Sequence, residues 1–139
     1  MDPRTETPIG AAIGVLGDRW SLLILRDVIF SDRRYFRVLL TGSVEGIASN
    51  ILADRLVRLV DAGILTRGTA ARGQRAQFSL TEAGIQTLPI LCALGDWGRN
   101  WCPGSDELRA QHEQFQDKGA ERLMDELRAR HLGSDPKTP

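Results

Sequence analysis

The sequence predicts a mainly α-helical fold with one short β-hairpin, and three observations support this prediction. Apolar residues recur at helical spacing over most of the 139 residues. The segment 47–61 combines a stripe of leucines with an opposite face of small and polar residues. Two strand-like segments, 64–67 and 76–80, follow it and flank a turn rich in glycine, alanine and arginine. A slim helix beside a basic hairpin predicts a winged helix-turn-helix, an α+β fold in which most residues are helical.

The composition is that of an ordinary globular chain with one domain and room for an appendage. Hydrophobic residues make up 42% of the sequence, which is enough for a core, and the formal net charge is zero. The charge is unevenly distributed, because the stretch 33–75 holds eight arginines against three acidic residues. This stretch carries a charge of +5, and such a patch attracts phosphate even when the whole chain is neutral.

Several classes of function lack support in the sequence. No paired carboxylates in a recognisable arrangement, Ser/His/Asp set, phosphate-binding loop or CxxC motif is present, so we do not expect an enzyme. Cys92, Cys102 and His112 do not have zinc-ligand spacing, and neither a metal nor a cofactor is predicted. The N-terminus has no signal-peptide pattern and no window resembles a membrane span, so we expect a cytoplasmic protein with reduced thiols.

The first half of the chain predicts four helices after a loose tail at residues 1–7. These helices cover about 9–16, 20–30, 34–40 and 47–61. Pro8 suits the first turn of the first helix, where its missing N–H costs nothing, and Gly17 ends that helix. The second helix is apolar nearly all round, which is typical of a buried central helix. Gly63 is expected in the left-handed conformation that closes the fourth helix.

The helix at 47–61 has two contrasting faces. The core stripe consists of Leu52, Leu56, Leu59 and Val60. The opposite face consists of Ser49, Asn50, Ala53, Asp54 and Val57. Because the second set is small or polar, the helix backbone can come close to the floor of a nucleic-acid groove.

The second half predicts two further helices. Thr81 is the expected N-cap of a helix that reaches about Trp101 and that Pro89 should kink or restart. The final helix, from about 106 to 131, has only a thin apolar stripe: Leu108, Phe115, Leu123, Met124 and Leu127. Such a sparse stripe needs a partner surface. Residues 133–139 are expected to be disordered.

Four segments together resemble a known family. GDRWSLLILRD resembles the "G-K-W-x-x-L-I-L" signature of HxlR-type winged-helix transcriptional regulators, and GIASNILADRLVRLVDAGIL resembles the recognition-helix segment of that family. FSLTEAG is similar to its strand-to-helix exit, and LGDWGRNW to its terminal "W-G" helix. The four motifs stand in the family's order and spacing. We therefore expect a DNA-binding domain at 8–101 and a C-terminal dimerisation helix at 102–132.

The resemblance implies a small bacterial or archaeal regulator that binds double-stranded DNA as a homodimer. The helix at 47–61 would then enter the major groove, the hairpin at 67–76 would be the wing, and the terminal helices would form the dimer. Two departures from the family stand out. Many members have a cysteine before the proline of the first helix, where this chain has Thr7, so an oxidation switch there is not expected. The usual wing is proline-rich, whereas this one contains glycine, alanine and arginine.

The predicted DNA contacts fall into phosphate-binding and base-reading sets. Arginines before the recognition helix and on the wing are expected at phosphates or a narrow minor groove: Arg33, Arg34, Arg37, Arg67, Arg72 and Arg75. Ser49 and Asn50 are the candidates for reading base edges, with Ala53 and Asp54 on the same face. Two alternatives stay open. Asn50 also fits an ordinary exposed helix position, and Arg55 and Arg58 fit internal ion pairs with Asp54, Asp61 or Glu45.

The expected dimer interface uses apolar residues at both ends of the chain: Ile9, Ile13, Trp97, Trp101, Leu108, Phe115, Leu123 and Leu127. A twofold dimer predicts an inverted-repeat operator, and we expect a repressor. A small-molecule effector stays open as a further partner, and so does a thiol switch at Cys92 or Cys102. MarR-type regulators are the nearest alternative family. A winged-helix protein-interaction module without DNA affinity is the alternative class.

Overall fold

The computed structural model describes residues 7–71, 74–104 and 119–133. The elements in chain order are α1 (Pro8–Leu16), α2 (Ser21–Ser31), α3 (Phe36–Thr41), α4 (Ser49–Asp61), β1 (Leu65–Arg67), β2 (Phe78–Leu80), α5 (Glu82–Ile85), α6 (Leu88–Trp101) and α7 (Ala120–His131). β1 and β2 form a two-stranded antiparallel sheet. The predicted fold, mainly helical with a short hairpin, is confirmed. The chain divides into two compact units, the first ending at Phe78 and the second beginning at Ser79. The predicted domain boundaries stay a prediction.

Side-chain caps fix the starts of the first two helices. The Thr7 hydroxyl accepts a hydrogen bond from the Gly10 backbone N–H at 3.1 Å, and Pro8 occupies the first turn of α1. The Asp18 carboxylate accepts the backbone N–H groups of Trp20 and Ser21, each at 3.0 Å. These bonds satisfy two of the N–H groups at the start of α2, which begins at Ser21, one residue later than predicted.

The central helix α2 supplies much of the first unit's core. Ile24, Leu25, Val28 and Ile29 are buried, as predicted for this helix. Asp27 is buried among them, and the pKa of its carboxyl is raised because burial disfavours the charged form despite two neighbouring arginines.

The helix α3 begins at Phe36, two residues later than predicted, because Arg34 is held in an interaction with β2. The Phe78 backbone N–H donates to the Arg34 carbonyl at 2.7 Å, and the Arg34 Nε donates back to the Phe78 carbonyl at 3.0 Å. This reciprocal pair keeps the chain before α3 out of helical conformation. The expectation that Arg33 and Arg34 lie at the start of that helix is therefore wrong.

The helix α4 has the predicted two faces. Leu52, Leu56 and Leu59 are buried and hold the helix against α3 and β1. The helix closes as expected at Gly63, whose φ of +77° is left-handed, and the next N–H, that of Ile64, returns to the Leu59 carbonyl at 2.9 Å.

In the second unit, the predicted restart at the proline is confirmed. The Thr81 hydroxyl caps α5 by accepting from the Gly84 N–H at 3.1 Å, as predicted. The helix α5 ends at Ile85, and α6 begins at Leu88 with Pro89 in its first turn.

The helix α7 is the described part of the predicted final helix and packs against α5 and α6. Met124 and Leu127 are buried on its inner side. At its end, the buried His131 accepts the Leu80 backbone N–H on Nδ1 at 2.9 Å. On the outer side, Arg128 forms an ion pair with Glu82 of α5 at 2.8 Å.

No single helix among the described residues has the length and apolar composition of a membrane span. The pair α1 and α2 meets those two criteria jointly, but the two helices are bent by 77° at their junction.

Candidate nucleic-acid interface

One face of α4 is exposed along its whole length. We call it the open face of α4, and it consists of Ser49, Asn50, Ala53, Asp54 and Val57. Ser49 and Asn50 form the first turn of the helix, where side chains reach base edges in helix-turn-helix docking. The leucine stripe on the opposite side is buried, so the sequence alone oriented this helix correctly.

An ion pair with Asp18 fixes the orientation of α4. The Nε of Arg55 donates to the Asp18 carboxylate at 2.9 Å, and Arg55 also pairs with its neighbour Asp54. Partial burial opposes the charged form of Asp18. Hydrogen bonds from Ser21, Trp20 and Arg55 outweigh that effect and lower its pKa to about 2. The carboxylate that caps α2 therefore stays ionised and positions α4.

Of the internal ion pairs that the sequence offers to Arg55 and Arg58, those with Asp54 are confirmed. Arg58 lies 3.9 Å from Asp54, a long and exposed ion pair. Glu45 is instead engaged by Arg26, whose two terminal nitrogens donate to the two carboxylate oxygens at 2.7 Å each. Because 19 residues separate these two, no local pattern in the sequence could have identified this pair.

Two of the predicted phosphate contacts have internal roles. The Arg33 guanidinium lies 3.6 Å from the buried Asp27 carboxylate. The Arg34 side chain is half-buried and donates to the Phe78 carbonyl. These side chains hold the segment before α3 in place. Phosphate contact by Arg33 and Arg34 stays a prediction.

Three arginines around the open face of α4 contrast with this pattern. Among residues 7–71, 74–104 and 119–133, the side chains of Arg37 and Arg67 have neither an ion-pair nor a hydrogen-bond partner. Arg75 stacks its guanidinium on the Tyr35 ring at 5.0 Å from the ring centroid. Arg72 lies outside the described residues. The contact to Tyr35 was not predicted from the sequence, because 40 positions separate the two residues.

A cavity of about 690 Å³ lies between α3, α4 and the hairpin. We call it the wing cavity. Apolar side chains from all three elements line it, including Phe36, Leu40, Val57, Val60 and Phe78. Arg37, Arg67 and Arg75 also line it, so the three arginines converge on one concave surface. The sequence contained no signal for this cavity, because its walls come from separate segments.

Exposed apolar faces occur on α1 and α6. Ile9 is 75% exposed and Ile13 62% exposed on α1, and Trp97 and Trp101 are 61% and 76% exposed on α6. Large apolar side chains at this exposure are typical of an interaction surface.

The predicted interface residues of the final helix are placed differently. Leu127 is fully buried because α5 and α6 supply the surface that it needs, so its assignment to the dimer interface is corrected. Leu123 is half-buried. Leu108 and Phe115 lie outside the described residues.

The two thiols differ in accessibility. Cys92 is half-buried, and its pKa is raised, first by burial and then by the Asp96 carboxylate, which disfavours the reactive thiolate. Cys102 is exposed. His112 lies outside the described residues, and within the described ranges no group of three His, Cys, Asp or Glu side chains could hold a metal ion.

These features define a winged helix-turn-helix protein of the transcription-regulator class. Residues 15–106 match the HxlR-like helix-turn-helix family, and the chain belongs to this family. The assignment favours the HxlR resemblance over the MarR-type alternative. It makes the protein a transcriptional regulator.

Relatives of similar length carry the same general description. The uncharacterized HTH-type transcriptional regulator Rv3095 of Mycobacterium tuberculosis is 29% identical over 136 residues, which cover 92% of this chain and 84% of the relative. The uncharacterized HTH-type transcriptional regulator sll1512 of Synechocystis sp. is 31% identical over 105 residues, which cover 72% of this chain and 76% of the relative.

Solved structures share the fold. The crystal structure of PA1607, a proposed transcription factor, is 33% identical with a TM-score of 0.65, and the match covers 74% of this chain and 70% of that one. The reduced form of the transcriptional regulator YodB from B. subtilis is 25% identical with a TM-score of 0.56, and the match covers 73% and 99%.

Proposed function

We propose that this regulator binds double-stranded DNA as a homodimer, recognises an inverted-repeat operator and represses transcription. One observation carries the proposal. Arg37, Arg67 and Arg75 line the wing cavity together with Ala53 and Val57 of the open face of α4. Within the part of the chain that the structure describes, none of the three pairs with a carboxylate, whereas Arg33 and Arg55 do. Cationic side chains next to an exposed helix suit double-stranded DNA, because the arginines can bind its phosphates while the helix contacts its base edges.

The open face of α4 is suited to the major groove. Its side chains are small or polar, and the groove, about 12 Å wide, admits a helix of this kind. Asn50 can bind adenine through two hydrogen bonds, and Ser49 can bond to several bases. Asp54 is held by Arg55, so its charge is partly compensated before DNA arrives.

The three arginines are proposed as phosphate contacts. Arg67 and Arg75 lie on the hairpin, and Arg37 lies in the first turn of α3. Each phosphate that they neutralise releases counterions, so affinity should fall steeply as salt rises. Arg72 belongs to the same predicted set and remains a proposal for the wing.

The exposed apolar faces of α1 and α6 support the homodimer. Ile9 and Ile13 on α1, and Trp97 and Trp101 on α6, would be costly to leave in water, and aromatic residues are enriched in protein interfaces. A twofold dimer places two copies of α4 about one duplex turn apart, which requires an inverted-repeat site. Repression then needs only that the dimer occupy a promoter and block polymerase.

Selection of binding sites from random duplexes tests this proposal. The full chain is expected to enrich an inverted repeat whose half-site centres lie about 10 base pairs apart. Sedimentation of the protein with the enriched duplex should give two chains per site. Failure to retain any duplex at low salt would instead favour the protein-interaction module. Enrichment of a single half-site by one chain would contradict the dimer.

A further inference from the structure

We propose that the wing cavity binds a small amphipathic organic anion, such as an aryl carboxylate, and that this anion and DNA exclude each other. The inference rests on the proposed function in one respect, because the excluded partner is the DNA proposed above. The walls, rim and volume of the cavity are independent of that proposal.

The floor and walls of the wing cavity are apolar. Leu56, Ala76 and Phe78 are buried at its floor. Phe36 and Val60 form its sides and are partly exposed. Val57 is 60% exposed, although it lies on a helix whose leucines are buried. A concave surface of this kind offers contact to a flat or branched apolar group.

The rim of the cavity is cationic. Arg37, Arg67 and Arg75 line it, against one carboxylate, Asp61. Stacking on Tyr35 restrains the Arg75 guanidinium near the cavity. Guanidinium groups bind carboxylates through paired, charge-assisted hydrogen bonds. A ligand that packs against the apolar walls and also pairs with the arginines of the rim has an apolar body and one anionic end.

The cavity volume fits such a ligand. About 690 Å³ lies within the usual range of small-molecule sites, roughly 300–1,000 Å³, which typically combine apolar walls with a few polar groups. A phosphodiester chain can use the arginines, but it has no apolar part to cover Phe36, Leu40 and Val60. The apolar walls therefore favour an organic anion over phosphate as the occupant.

The site shares groups with the proposed DNA contacts. Ala53 and Val57 belong to the open face of α4 and also line the cavity, as do the three arginines. One arginine cannot bind a carboxylate and a phosphate with the same donors at once. By linkage, a ligand that lowers affinity for DNA has its own affinity lowered by the same factor.

Calorimetric titration of the full chain without DNA tests the cavity, with 2-naphthoate as the probe and neutral 2-naphthamide as its isostere. Saturable binding of naphthoate is expected, with the amide at least about tenfold weaker because it lacks the charge. Equal affinities for the two compounds, or no saturable binding of naphthoate at millimolar concentration, would overturn the proposal.

Matched variants locate the site. Val57→Asp places a charge in the cavity and should weaken naphthoate binding by about tenfold or more. Val44→Asp is the control, because Val44 is 67% exposed and does not line the cavity.

Arg67→Gln should weaken the binding of naphthoate but hardly change the binding of the amide, and Arg19→Gln is its control. Thermal midpoints establish that all four variants fold. Equal losses in variants and controls would place the ligand elsewhere and refute the assignment.

A mobility-shift titration with an enriched duplex separates the two proposals. Saturating naphthoate should weaken DNA binding, and the amide at the same concentration should not. If naphthoate binds as expected but the protein holds no duplex, the proposed function fails while the cavity site stands. If naphthoate binds and leaves DNA affinity unchanged, mutual exclusion is refuted.

Discussion

Two groups of arginines on the first unit differ in what they contact. Arg26, Arg33, Arg34 and Arg55 bind carboxylates or a backbone carbonyl of their own chain. The second group, Arg37, Arg67 and Arg75, lines the wing cavity and has no carboxylate partner within the described ranges. Both groups come from the same arginine-rich stretch or its border, so composition does not separate them. The difference shows that internal pairing decides which cations remain available to a ligand.

Removing the second group should have the largest effect. The triple variant Arg37→Gln, Arg67→Gln and Arg75→Gln should bind its operator more weakly by at least on the order of a thousandfold, because three charge-assisted contacts are lost in each subunit. The slope of log affinity against log salt should become shallower by about 2.7 per subunit. Mobility-shift titrations at several salt concentrations measure both quantities. The thermal midpoint should hardly change, and an unchanged affinity would mean that these arginines do not contact phosphate.

Removing a member of the first group should act on stability instead. Arg34→Ala deletes the donor to the Phe78 carbonyl, and we expect the free energy of unfolding to fall by about 2 kcal/mol. Urea denaturation measures this loss. Arg19→Ala is a suitable control, since Arg19 is exposed and stacks on Trp20. If Arg34→Ala weakened DNA binding at full stability, the division between the two groups would be incorrect.

The contact between Asp18 and Arg55 predicts a pH dependence. The pKa of Asp18 is about 2 in the folded protein and 3.8 in its reference state. Stabilisation by the ionised form is therefore complete above about pH 4 and is lost as pH falls toward 2. Asp18→Asn should cost on the order of 2 kcal/mol at neutral pH.

The test is the difference in unfolding free energy between wild type and Asp18→Asn, measured from pH 7 down to pH 2. The two proteins should converge at the acid end. A difference that stays constant with pH would show that the ionised carboxylate is not responsible. Asp61→Asn provides a comparison, because Asp61 is exposed.

The smallest expected effect concerns base reading. Asn50→Ala should relax preference by about tenfold at one position of each half-site, because a single bidentate contact is removed. A panel of operators with single base changes measures this preference. Loss of affinity by the same factor for every operator would indicate that Asn50 contacts the backbone or only supports the helix.

Local sequence signals predicted much of this fold. Leucine spacing oriented α4, Gly63 marked its end, and Thr81 and Pro89 marked the start of α5 and the restart at α6. Each of these signals acts within a few residues, so a single sequence contains all the information that it needs.

The parts that sequence reasoning missed depend on distant partners. Arg34 and Phe78 are 44 positions apart, and their contact moved the start of α3. Leu127 resembled an interface residue because its stripe is thin, but α5 and α6 cover it. Arg37, Arg67 and Arg75 could be listed from the sequence, whereas their convergence on one cavity depends on tertiary packing.

The N-cap of α1 is a position where one substitution would change the chemistry of the helix start. Thr7 holds the helix start through a hydroxyl oxygen that oxidants leave intact. Among the described residues the hydroxyl bonds to the nearby Gly10 N–H alone, so exchange to cysteine would alter reactivity without requiring a new backbone path. A Thr7→Cys variant would thus place an oxidisable sulfur at the start of α1, at the cost of about 1 kcal/mol of capping energy.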